Sequence, residues 1–163
     1  PDDSEIADNW MYNGGYPTVQ AMMRLSAEEQ DKIIQFLRSC VIEAHVSTDD
    51  GRRFHLVHGW LSPVNEKENR GEYIYNSVWG RPGIRTAKCK SAEGTLIIGH
   101  TPVMNLYDLD ECKDFSRNHF SIMHAPNFIN IDCGCGHKAD GDCLSCLRLD
   151  DMKEFYVLQE GMD

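Results

Sequence analysis

Two histidines set the chemical question in this chain. In FHLVHGW an apolar run delivers His58 just before Gly59, and in LIIGHTPV a second run delivers His100 just after Gly99. Each run reads as a short strand, and each glycine lets the chain turn at low steric cost. Pro102 has no amide proton and biases Thr101 away from helix, so His100 stands at a corner. The imidazoles therefore sit at the ends of two separate strands rather than at the i, i+4 spacing of one helix face. Neutral imidazole is a ligand for zinc, iron, nickel and related ions, and two neighbouring strands would let both rings meet one metal. Two imidazoles leave most of a coordination shell empty, so further ligands are required. Taken singly, each histidine suits a hydrogen-bonded residue at a strand end. The repeated corner is what points to metal.

The elements that must position these corners are legible in part. Ser26 and Glu29 form a capping box ahead of Ile33, Ile34, Leu37 and Val41 at helical spacing, which predicts a helix over 26–40. A shorter helical turn is expected over 18–25. VIEAHVS, TDDG and RRFHLVHG read as a hairpin around Asp50-Gly51 that ends at His58. Residues 61–70 are polar and irregular, and 72–79 suit a helical turn before a corner at Gly80 to Gly83. FINID, CLSCLRL and EFYVL make the end of the chain β-rich, with Gly134, Gly136 and Gly141 punctuating the connection between the first two. No repeat, low-complexity tract or linker marks a boundary, so residues 1–163 are expected to belong to a single domain.

Composition narrows the function classes. The 163 residues are 41% hydrophobic, enough for one domain with a sizeable core. Sixteen basic against 26 acidic residues give a net charge of −10, a poor match to a phosphate backbone, so nucleic acid is not an expected partner. No apolar run approaches the roughly 20 residues that span a bilayer, and PDDSEIADNW lacks the basic segment and apolar core of a signal peptide. Seven cysteines form no recognisable disulfide framework, which suits a reducing compartment. A cytoplasmic protein without a membrane partner is the expectation.

Five blocks then fall into an order: WMYNGGYPT at Trp10 to Thr18, VHGWLSP at Val57 to Pro63, VWGR at Val78 to Arg81, GHTP at Gly99 to Pro102, and INIDCGCG at Ile129 to Gly136. Over nearly its whole length the chain resembles the C-terminal half of the calcineurin-like metallophosphoesterases, in their bacterial serine/threonine phosphoprotein phosphatase branch. The resemblance implies an α/β fold, a two-sheet sandwich flanked by helices, of which this chain supplies the C-terminal portion. It implies that His58 and His100 ligate one of two adjacent divalent ions (manganese, iron or zinc, with manganese favoured), and that Arg81 holds the substrate phosphate. The implied reaction is hydrolysis of a phosphate monoester, on a phosphoserine or phosphothreonine of a phosphoprotein or on a small phosphoester. Alternatives are a dinucleoside polyphosphate hydrolase and a non-catalytic metal-binding or interaction domain.

The departures carry equal information. The family's Asp-x-His, Gly-Asp-x-x-Asp-Arg-Gly and Gly-Asn-His-Glu blocks do not occur here. In the family they supply the bridging aspartate, most other metal ligands, one phosphate arginine and the proton-donating histidine. The resemblance thus implies a chain that begins downstream of them, holds no catalytic residue of its own, and is inactive without that missing N-terminal half. Gly59-Trp60 stands where the family has alanine and glycine, which crowds the site. Thr101-Pro102 after His100 places the chain closer to protein phosphatases than to the Gly-His-x-His branches. The chemistry explains the residue types: paired metal ions stabilise both sides of an in-line displacement at phosphorus. An arginine adds a planar fork matched to two phosphate oxygens.

Other residues invite chemistry and suit structure better. Cys133, Cys135, Cys143 and Cys146 give C-x-C then C-x-x-C, which resembles zinc-ligand spacing. However, Cys143 and Cys146 have opposite strand parity and point to opposite faces, so small buried hydrophobes are the simpler reading. Asn13-Gly14-Gly15 suits a turn more than an anion nest. His124, His137 and Asp132 read as structural, Asp150 and Asp151 as a solvated strand end, and Trp10, Trp60 and Trp79 as core or pocket wall.

Overall fold

The computed structural model describes residues 3–81, 94–107, 109, 112–126, 128–136 and 140–158. They divide into two compact units, Pro1–Val41 and Ile42–Asp163. The first is helical: α1 (Asp3–Trp10), α2 (Tyr16–Met22) and α3 (Ala27–Ser39). The path between α1 and α2 is broken at Asn13 and at Gly14, whose φ of +93° is left-handed backbone that glycine adopts without strain. Asn-Gly-Gly is therefore a kink, with Asn13 Nδ2 donating to the Asn9 carbonyl at 2.7 Å. Pro17 lies in the first turn of α2, which begins two residues before the expected helical turn, where its missing N–H costs nothing. The capping box forms as expected: the Ser26 amide donates to Glu29 Oε2 at 2.8 Å, and the Glu29 amide to Ser26 Oγ at 3.3 Å.

The second unit is a mixed α/β structure with a five-stranded sheet and a two-stranded sheet. Its elements are β1 (Glu43–Ser47), β2 (Arg53–Val57), α4 (Arg70–Trp79), β3 (Thr95–Ile98), α5 (Met104–Tyr107), a short 3-10 turn at Lys113–Phe115, β4 (Met123–His124), β5 (Phe128–Asn130), β6 (Cys143–Arg148) and β7 (Lys153–Leu158). The large sheet runs β1-β2-β3-β5-β4. β1 is antiparallel to β2 through the expected hairpin, whose Gly51 has φ +85°. β2, β3 and β5 are parallel neighbours, and β4 returns antiparallel along β5. Parallel pairing places the carboxyl ends of three strands on one edge of the sheet, the usual position of a site in an open α/β sheet.

Alternation along the strands divides the core. Val57, Leu96, Ile98 and Phe128 face one side with Trp60, Val103 and Leu106, while Phe54, Ile97 and Ile129 face the other with Cys133 and Cys143. The β6–β7 ribbon covers this second face through Cys143, Leu147 and Tyr156. Asn69 caps α4, its side chain accepting the Glu72 amide at 3.1 Å, so the helix starts earlier than the expected 72–79. The expected corner at Gly80 to Gly83 is described only as far as Arg81, and His137 also lies outside the described residues. No helix among the described residues is long and apolar enough to cross a membrane.

Candidate metal centre

His58 is the first residue beyond β2 and His100 the second beyond β3, so the parallel pairing of those strands delivers both to the same edge. Five hydrogen bonds hold the two corners in place. The Gly99 amide donates to the His58 carbonyl at 3.1 Å, and the Ile131 amide to the Ile98 carbonyl at 3.0 Å. Beyond β5, the Val103 amide donates to the Asp132 carbonyl at 2.8 Å. The fully buried Asn130 side chain donates to the Thr101 carbonyl at 2.7 Å and accepts the Asp132 amide at 3.0 Å. A buried amide with both ends satisfied fixes a loop better than an apolar contact would, because any shift leaves a polar group unpaired.

The end of α4 closes the other side. Gly59 donates its amide to the Ser77 carbonyl at 2.6 Å, and a Cβ built at Gly59 would lie 2.9 Å from the Asn76 carbonyl oxygen. That contact explains glycine after His58: a larger residue would push the histidine corner off the helix. Trp60 turns inward, 5% exposed, with its ring edge-on to Phe128 at 5.3 Å, so the expected crowding of the site by this indole does not arise.

The structure brings the three expected site residues together. His100 Nδ1 lies 3.1 Å from His58 Nε2. Two nitrogens bound to one ion at about 2.0–2.1 Å, with an angle between square and tetrahedral, are about 2.8–3.4 Å apart, so the pair fits one ion. The Trp79 ring packs 5.0 Å from the His100 ring, and Arg81 Nε donates to Thr101 Oγ1 at 2.8 Å beside it. Burial first, then the Arg81 guanidinium and His58, hold the His100 imidazole well below its ordinary 6.5, at about 4. It is therefore neutral at pH 7, the form that ligates metal. His100 Nε2 is buried and has no hydrogen-bond partner among the described residues. Nor does any described His, Cys, Asp or Glu join the pair as a third convergent ligand.

The depressed His100 value has a consequence for stability. Between pH 6.5 and about 4 the unfolded chain takes up a proton that the folded chain refuses, so stability is lost as pH falls through that window. Thermal melts of metal-free protein should show a larger drop from pH 7 to pH 4.5 in the parent than in His100→Asn, which cannot protonate. Equal drops would remove His100 as a contributor.

Sequence reasoning missed one cluster. Glu43, His45 and His55 offer three ligand atoms that all lie within 4.8 Å of one another. The signal was present: writing the hairpin register outward from Asp50-Gly51 sets His45 opposite His55, with Glu43 two residues along the same face.

The cysteines form no such cluster among the described residues. Cys143 is buried and Cys146 exposed, on opposite faces as their strand parity requires; Cys135 is exposed as well, so the reading as small buried hydrophobes holds for Cys133 and Cys143 and fails for the other two. Burial pushes the Cys133 thiol up to about 12 and also raises that of Cys143, so both remain protonated and unreactive. We expect Cys135→Ser and Cys146→Ser, both at exposed positions, to leave the zinc content of the purified protein unchanged by elemental analysis. His124 pairs with Glu154 at 2.8 Å, and the Asp132 carboxylate accepts the Gly134 amide at 3.1 Å, both structural contacts. No family model, curated protein or solved structure matches this chain. Its functional reading is carried by the geometry of His58, His100 and Arg81.

Proposed function

We propose that these residues belong to a phosphoric monoester hydrolase with a binuclear metal centre, of the calcineurin-like metallophosphoesterase type, acting on phosphoserine or phosphothreonine. The observation that carries the reading is the 3.1 Å approach of two imidazoles from separate strand ends, with an arginine fixed next to them. In this reading His58 Nε2 and His100 Nδ1 hold one divalent ion, with manganese favoured. The ions supply Lewis acidity and charge balance for displacement at phosphorus. Arg81 binds the phosphate: with Nε held by Thr101 and one Nη1 proton directed at the Trp79 carbonyl at 3.4 Å, Nη2 and the second Nη1 proton form the fork that meets two oxygens. Asn130 keeps the His100–Thr101 corner in register with both. The carboxylates and the proton donor that complete such a centre belong to the three family blocks absent from these 163 residues, so the reading makes this chain inactive by itself.

The test is direct. The complete encoded protein should hydrolyse para-nitrophenyl phosphate with manganese, while this chain alone should do so no faster than buffer. An encoded protein with no Asp-x-His and Gly-Asn-His-Glu ahead of Pro1 would instead make this a non-catalytic domain. Within the active protein, Arg81→Lys keeps the charge but loses the planar fork. It should weaken vanadate or phosphate binding by about 10- to 100-fold, the worth of a charged hydrogen bond, with metal content unchanged. Full activity and unaltered vanadate affinity would reject the role of Arg81.

A further inference from the structure

Glu43, His45 and His55 form a cluster that the phosphoesterase reading does not use. His45 and His55 are directly opposed across the antiparallel β1–β2 pair, and Glu43 lies two residues from His45 on the same face. The rings sit 4.2 Å apart and tilted by 31°. His55 Nε2 is 2.8 Å from Glu43 Oε2, with the His55 side chain 8% and the Glu43 side chain 30% exposed. That pair alone satisfies both groups. What exceeds a plain hydrogen bond is the third donor at the same point, since the ligand atoms of all three residues lie within 4.8 Å of one another. Ligands of a tetrahedral ion at about 2.0–2.2 Å lie about 3.3–3.6 Å apart, so a rotation that brings the exposed His45 ring about an ångström closer to the His55–Glu43 pair closes the shell.

We propose that Glu43, His45 and His55 are a metal site of their own, for a divalent ion of the zinc class, which fastens the edge strand β1 to β2. The donor set decides the class. Two imidazole nitrogens and one carboxylate oxygen suit zinc, cobalt, nickel or copper, whereas magnesium and calcium select oxygen shells. Three protein ligands leave a position for water, and exposed His45 gives the ion its way in. The Tyr73 hydroxyl of α4 lies beside Glu43, where a hydrogen bond to the carboxylate steadies the ligand. The site draws on β1 and the middle of β2, whereas His58 and His100 draw on the ends of β2 and β3, and it stands whether or not the phosphoesterase reading does.

The experiment removes the other pair first. In the chain carrying His58→Ala and His100→Ala, calorimetric titration with zinc should give one ion per chain, magnesium should give none, and cobalt should develop a visible d–d band. Adding His45→Ala or Glu43→Gln to that background should weaken zinc binding by about tenfold or more and abolish the cobalt band. Both positions tolerate the change without loss of core, and circular dichroism checks the fold. Zinc should also raise the Tm of the background protein and not that of its His45→Ala derivative. Absence of zinc binding in the background protein, or a loss on His45→Ala smaller than tenfold, overturns the proposal. Zinc that is lost on Cys135→Ser instead would overturn it in favour of the cysteines.

Discussion

Truncating Phe128 to alanine should cost the protein about 3–5 kcal/mol, the largest loss expected from any single side chain in the sheet. The ring is fully buried in β5, between β3 and β4, and meets the edge of Trp60 at 5.3 Å. Packed among Leu96, Ile98, Val103 and Leu106, it fills a space that the short strands around it cannot collapse into. Its removal forfeits both the transfer free energy of the ring and the dispersion contacts lining the cavity. For a chain of this length the loss corresponds to a Tm lower by roughly 6–20 °C. Phe128→Leu, which keeps most of the volume, should lose less than half as much. The effect reaches the candidate site because Asn130, two residues along the same face of β5, clamps the His100 corner. Metal affinity should therefore fall in Phe128→Ala and recover in Phe128→Leu. A Tm within a few degrees of the parent would show that this core repacks freely.

The second large effect concerns the His58–His100 pair. On the phosphoesterase reading, His100→Ala in a protein that also carries the family's other metal-binding blocks should lower the hydrolytic rate by more than about 100-fold, because losing a ligand costs more than the 10- to 100-fold typical of losing a ligand's hydrogen-bond partner. Metal occupancy measured after dialysis should fall with it. His58→Ala should have a matching effect, since each ring supplies one of two nitrogens placed 3.1 Å apart, and neither has a third described ligand to compensate. The double variant should be little worse than either single one, as groups that act as a unit are strongly non-additive. Independent losses that multiply in the double variant would mean the two histidines do not share an ion. Retained activity in His100→Ala would sink the phosphoesterase reading as a whole.

Elements governed by neighbours in the chain were readable without coordinates. The Ser26–Glu29 box and the stripe that follows it specify α3 because capping and helical hydrogen bonds span only three or four residues. Asp50-Gly51 specifies the β1–β2 turn because only glycine takes left-handed backbone at no cost, and the parity of Cys143 and Cys146 places the two thiols on opposite faces because side chains alternate along a strand, while the packing decides which one is buried. Short elements escaped: α5 has four residues and β4 two, too few to show a period. What local signals left open is which strands lie side by side. His58 and His100 are 42 residues apart, and their encounter depends on β2 and β3 pairing in parallel, a register set by long-range hydrogen bonds and by the burial of Val57, Leu96 and Ile98 on one face. The sequence by itself determined that two strands would each end in a histidine beside a glycine. Only the tertiary structure decided that those ends share an edge, that Arg81 joins them through Thr101, and that Glu43, His45 and His55 converge. A strand's own residues set its faces, whereas its partners are chosen by the whole core.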